Sequence, residues 1–248
     1  MLDTKMGSKV ILVTGATSGI GSTIVKQFAK QEATIVAIGR DKERLGHLKC
    51  EYPDRVYTYE YDFMDLENIE KIFQFCMENG LKLDGLVHSA GIAINSVVKA
   101  NNIVDMENTM RINCFSLFEL GKYFSMKKYS NDNAAIVAIS SIVSLNSDKG
   151  LSQYAASKAA VNSVVRTMAK EFIRRKLRVN AILPANVKTP MFMAGVHQIE
   201  NYLETAELRQ PLGFIDAENI AYLAEFLLSD NARYMTGELV VVSGGMDY

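Results

Sequence analysis

KVILVTGATSGIG, residues 9–21, reads as a buried strand that runs into a glycine-rich turn and then opens a helix. The apolar run ending at Thr14 has strand length and strand composition. Gly15, Gly19 and Gly21 follow at positions where a dinucleotide turn needs them. The first allows a tight bend, the second leaves the backbone bare, and the third lets helix and strand pack closely. Ala16, Thr17, Ser18 and Ile20 complete the turn. The helix start behind it would present free N–H groups and a partial positive charge to a pyrophosphate.

The same alternation continues to the other end of the chain. Strand-like runs at 34–39, 55–62, 84–91, 134–141, 178–184 and 238–245 are separated by helix-like segments near 19–31, 41–49, 66–79, 105–128, 152–175 and 216–229. Short, nearly all-apolar strands between helices predict a parallel sheet covered on both faces. The expectation is one α/β domain over 1–248: a Rossmann-type, doubly wound sheet of seven parallel strands. Residues 190–215 break the rhythm with one or two short, apolar-faced helices after the sixth strand. Insertions there overhang the ligand crevice, so a substrate lid is expected, with an oligomer contact or plain core cover as the alternatives.

Composition narrows the function classes. A net charge of −1 and the lack of any like-charge block give no field for nucleic acid. Cys50, Cys76 and Cys114 are widely spaced, form no CxxC and suit a reducing compartment. The run 134–145 falls far short of the about 18 apolar residues of a membrane span, and the first ten residues lack a signal-peptide core. A cytoplasmic protein with no metal site is expected.

Two further places carry chemistry. At the end of the second strand, an Asp or Glu would bind the ribose 2′-OH of NAD; this chain has Gly39 and Arg40, with Lys42 and Arg44 behind. A guanidinium there suits a 2′-phosphate, so NADP(H) is preferred and NAD(H) remains possible. Asp62 and Phe63 could border the adenine, though Asp62 could equally cap a turn. Ser89, Ala90 and Gly91 form a small turn where the cofactor ribose can approach. Farther on, Tyr154 and Lys158 stand four apart at a helix start, on one face. A cation beside a phenol favours the anion and lowers a pKa that is ordinarily about 10. Such a pair can exchange a proton with a carbonyl or an alcohol. Ser141, thirteen residues upstream, ends the fifth strand at the same crevice, and Asn113 is a polar amide within a half-buried helix.

TGATSGIG, Asn113, Ser141, YAASK at 154–158 and the closing GELVVVSGG together resemble the short-chain dehydrogenase/reductase family over essentially the whole chain. The resemblance implies that Tyr154 is the general acid/base and that Lys158 lowers its pKa and holds the nicotinamide ribose. It implies that Ser141 binds the substrate oxygen and that Asn113 supports a water-mediated relay to the lysine. Val187 and Thr189 match backbone and side-chain contacts to the nicotinamide end. By length and lack of insertions the chain is similar to the 3-oxoacyl-[acyl-carrier-protein] reductases, which reduce a carrier-linked β-keto chain. Lys127, Lys128, Arg174 and Arg175 would form the carrier patch, with Arg175 best matched. Other members reduce sugars, steroids or small ketones, and a cofactor-binding regulator without turnover is a third possibility. Relatives usually form homotetramers through the fourth and fifth helices. Departures are Ser89 for an asparagine, Ala185 for a glycine after Pro184, and Ser243 before Gly244 and Gly245. The segment after Pro211-Leu212-Gly213 is short by about one residue and lacks its arginine.

Overall fold

The computed structural model describes residues 6–196 and 208–247. Seven strands form one parallel sheet in the order β3-β2-β1-β4-β5-β6-β7. They are β1 (Val10–Thr14), β2 (Thr34–Gly39), β3 (Val56–Glu60), β4 (Leu83–His88), β5 (Ser130–Ile139), β6 (Arg178–Pro184) and β7 (Leu239–Val242). The order reverses between β1 and β4, which opens a crevice at the carboxyl ends of those two strands. The expected fold is present.

Helices α1 (Gly19–Lys30), α2 (Lys42–Glu51), α3 (Glu70–Glu78), α4 (Ile103–Met110), α5 (Ser116–Phe124), α6 (Ser152–Glu171), α7 (Pro190–Val196) and α8 (Ala217–Leu228) cover the two faces. One apolar layer gathers Leu12, Val36, Leu86, Ile136 and Leu183 with Phe73, Phe124 and Val165. The other gathers Ile11, Val13, Ile35 and Val137 with Ile24, Phe28, Ala221 and Leu227. Alternate residues of each strand feed the two layers, which is why the strands read as continuous apolar runs.

One expected helix differs. The segment foreseen at about 105–128 begins at Ile103 and carries a π-helical turn, Arg111–Phe115, between α4 and α5. Ser116 N reaches back five residues to the Arg111 carbonyl, so one residue is inserted into the helical ladder. The inserted turn contains Asn113. Of the segment 190–215 expected as a lid, the structure describes α7 and the stretch from Leu208 to Ile215, and 197–207 lies outside the described residues.

Candidate active site

The glycine turn fits a dinucleotide on three observations. Gly15 has φ +66, and a Cβ there would meet the Ala90 nitrogen and Ser89 oxygen at 2.8 Å, so the turns after β1 and β4 are in close contact. A Cβ at Gly21 would collide with the Gly15 carbonyl, so α1 lies directly on the turn it leaves. Ser18 caps α1 with extended backbone and no side-chain bond, and the first turn holds no acidic residue. The N–H groups and partial positive charge of the helix start are therefore available to an anion. Thr189 approaches this turn from the far side: its methyl would lie 3.2 Å from a Cβ at Gly19. Val187 is buried and bridges to Ile215, while Thr189 Oγ1 accepts from Phe192 N and starts α7.

At the end of β2, Arg40 is exposed. Arg44 instead pairs with Asp41 at 3.1 Å and reaches the Thr17 carbonyl, so it braces the turn. Asp62 accepts from Met64 N at 3.0 Å and so caps the turn after β3. Phe63 departs from expectation. Its ring is buried in the core, 5.4 Å from the Tyr61 ring and 6.3 Å from the His88 ring, which removes the side chain from any adenine border.

Ser141, Tyr154, Lys158 and Asn113 meet beside that turn. Ser141 follows β5, and its hydroxyl donates to the Pro184 carbonyl at 3.5 Å, near the Tyr154 phenol. Lys158 Nζ donates to the Ile139 carbonyl at 2.7 Å and lies 5.6 Å from the Tyr154 ring centre. Asn113 is fully buried: Oδ1 accepts from Ile92 N at 2.8 Å, and Nδ2 donates to the Ile92 carbonyl and Ser157 Oγ, each at 2.9 Å. A Cβ on Gly91 would lie 3.2 Å from Asn113 Oδ1 and 3.6 Å from Lys158 Nζ, so the turn after β4 is the floor between them.

Burial pushes Tyr154 up to about 12, opposed by the Ser141 hydroxyl beside it. Burial also pulls Lys158 down to about 8, because few groups replace the water its ammonium has lost. Tyr154 is thus a protonated donor at neutral pH, the form needed to protonate an alkoxide.

The family model described as enoyl-(acyl carrier protein) reductase matches residues 15–247. A 3-oxoacyl-[acyl-carrier-protein] reductase of Thermotoga maritima is 33% identical over 98% of this chain and 99% of its own length. The chain belongs to the short-chain dehydrogenase/reductase family. Among its members, dehydrogenase/reductase SDR family member 6 of Rattus norvegicus is 30% identical over 97% of this chain and 98% of its own. A short-chain dehydrogenase/reductase of Brucella melitensis, titled glucose/ribitol dehydrogenase, superposes with TM-score 0.91 at 27% identity, covering 98% of both chains. Family members are oxidoreductases that bind NAD(P)(H), and the glycine turn of this short-chain dehydrogenase/reductase has the shape for it.

The expected carrier patch is not beside this site in the same chain. Lys127 and Lys128 precede β5 and Arg174 and Arg175 precede β6, at the amino edge of the sheet, whereas Ser141 and Tyr154 lie at the carboxyl edge. Arg175, moreover, is spent internally on Asp132, the Ser125 carbonyl and both oxygens of Ser130. Lys128 pairs with Glu70 and stacks over Tyr129.

Sequence reasoning passed over His88 and Gln210. Gln210 is fully buried; Oε1 accepts from Asn186 N at 3.1 Å and Nε2 donates to the Gly213 carbonyl at 2.8 Å. It fastens the stretch from Leu208 to Ile215 to the turn before Val187. Its only signal was an amide preceding Pro211-Leu212-Gly213. His88 was visible as a ring nitrogen pair inside an apolar strand, which needs partners wherever it is buried.

Proposed function

We propose that this protein is an NADPH-dependent carbonyl reductase that converts a ketone to a secondary alcohol, its substrate a 3-oxoacyl thioester held by an acyl carrier protein. The observation that carries this is the meeting of Ser141, the protonated Tyr154 phenol and Lys158 next to the glycine turn. When bound, the reduced nicotinamide supplies the hydride. Ser141 and Tyr154 hydroxyls hold the substrate oxygen as it gains charge, and Tyr154 then gives it a proton. Lys158 keeps a positive charge beside the phenol as that proton leaves, and Asn113 holds the Gly91–Ile92 turn against which the lysine rests. Gly15 to Gly21 seat the pyrophosphate, Ser89 to Gly91 give room to the ribose, and Val187 and Thr189 border the carboxamide.

An acyl chain is favoured over a polyhydroxylated substrate by the segments that leave the carboxyl edge. They expose Val97, Leu145, Met191, Met193, Leu208 and Leu212, apolar side chains that suit an acyl chain. Exposed Phe115, at the end of the π turn, and Phe118 on α5 supply an apolar surface for assembly into a homotetramer. Among the described residues no helix is long and apolar enough to cross a membrane, and no group of three or more His, Cys, Asp or Glu side chains could hold a metal ion.

Loss of NADPH absorbance against a panel of acetoacetyl thioesters, sugars, steroids and small ketones tests the reading. Turnover of thioesters supports it. Turnover of sugars or steroids alone moves the substrate to the runner-up class, and binding of NADPH without turnover of any carbonyl makes the protein a cofactor-binding regulator. The cofactor assignment has its own test. Arg40→Glu should lower the NADPH/NADH preference ratio at least tenfold, because a carboxylate repels a 2′-phosphate and accepts a ribose hydroxyl. An unchanged ratio would remove Arg40 from that role.

A further inference from the structure

His88 ends β4 beneath the turn Ser89–Gly91, and its ring is almost wholly enclosed, at 1% exposure. Both ring nitrogens have partners, and those partners decide which nitrogen bears the proton. Nδ1 faces Thr14 Oγ1 at 3.0 Å. That hydroxyl already accepts two backbone N–H groups, from Ser89 at 3.2 Å and Ala90 at 3.1 Å. With both lone pairs taken, Thr14 has only its proton to offer, and Nδ1 must accept it. The proton of the neutral ring therefore sits on Nε2. Nε2 faces the Asn113 carbonyl and Ser116 Oγ, each at 3.3 Å, and Ser116 sends its own proton to the Ile112 carbonyl. Every group in the chain is satisfied in only this one direction: Thr14 to His88 to Asn113.

The second end of that chain is the π-helical turn. A π turn leaves carbonyls displaced from the regular ladder, and it persists only where surrounding groups satisfy them. His88 supplies that partner at Asn113 itself, whose carboxamide then reaches Ile92 and Ser157, the latter bonded to the Tyr154 carbonyl at 2.7 Å. The first end is Thr14, the last residue before the glycine turn. We infer that His88 is a positioning residue: as a neutral ring with its proton on Nε2 it fixes the π turn that aims Asn113, and it ties that turn to the start of the dinucleotide loop. Burial, with the Lys158 charge adding to it, holds its pKa down at about 3, so the ring conveys orientation and no proton. The role in turnover rests on the carbonyl-reductase reading; the positioning of Asn113 does not.

Two measurements separate the two. In the unmodified protein, ¹⁵N spectra of the imidazole should show an unprotonated Nδ1, and the Asn113 side-chain NH₂ should exchange slowly with solvent. His88→Leu should release that NH₂ to fast exchange while strand amides of β1 and β4 stay protected. His88→Gln, whose terminal NH₂ can reach the place of Nε2–H, should restore slow exchange. In the kinetic arm, His88→Leu should lower kcat on the order of tenfold, the size expected when one buried hydrogen bond behind a reacting group is lost, with KM and NADPH affinity within a few-fold. His88→Gln should recover most of it. Slow Asn113 exchange that persists in folded His88→Leu overturns the inference, as does protonated Nδ1. Equal loss of strand protection reduces His88 to a packing residue and also overturns it. A protein that turns over no carbonyl defeats the functional reading alone, and the exchange measurement still decides this one.

Discussion

Tyr154→Phe should cost about 10³-fold or more in carbonyl turnover while NADPH affinity stays within a few-fold. The substitution removes one hydroxyl and leaves the ring, so packing at the start of α6 is unchanged. The proposed mechanism gives that oxygen two functions: holding the substrate oxygen together with Ser141, and supplying the proton, since burial keeps the phenol protonated to about 12. Ser141 alone retains one oxyanion contact, and an alcohol is too weak an acid to replace the phenol as proton source. In the proposed function the dinucleotide binds at the glycine turn and Thr189, which the substitution does not touch. Turnover near that of the unmodified protein would remove Tyr154 from its role. Parallel collapse of turnover, NADPH affinity and thermal midpoint would instead mark the phenol as a structural group.

The features of this chain that were legible in sequence share one property: they are made by near neighbours. A strand, its glycine turn and the following helix occupy residues 10–30 consecutively, and Tyr154 and Lys158 share a helix face by spacing alone. What escaped is set by contacts across the fold. The π turn at 111–115 exists because groups on other elements, Ile92 and His88 among them, bind the residue it displaces. Phe63 is turned inward by Tyr61 and His88, and no local signal at the end of β3 distinguishes an inward ring from one lining a crevice. Arg175 looked like a free surface cation, yet four bonds to the Ser125–Asp132 segment hold it. The direction of the Tyr154 shift also depended on fold. The burial that raises the phenol comes from elements distant in sequence, which the four-residue spacing to Lys158 does not report.

Lys158 shows the same burial as a cost to the folded state. The residue is 4% exposed, and its amine falls from 10.5 to about 8 on folding. A lysine harder to protonate in the folded chain destabilises it wherever the unfolded chain keeps the extra proton. That penalty is complete below about pH 8, shrinks as pH rises and is gone above about pH 10.5. The fall is worth about 3 kcal/mol at neutral pH. Lys158→Met keeps the length of the side chain and deletes the charge, but strands the Ile139 carbonyl that Nζ now satisfies, a loss of about 1–3 kcal/mol. The net expectation at pH 7 is a gain on the order of 1 kcal/mol, or about 2–4 °C in thermal midpoint. At high pH, where the penalty has vanished and only the stranded carbonyl remains, the order should reverse and the variant should melt below the parent. Turnover should fall about 10²-fold or more at every pH, because the charge that steadies Tyr154 as its proton leaves is gone. Melting curves for both proteins at neutral and strongly alkaline pH decide the matter. A variant less stable than its parent at neutral pH would mean that the ammonium is adequately solvated where it lies, and that the site holds no strain there.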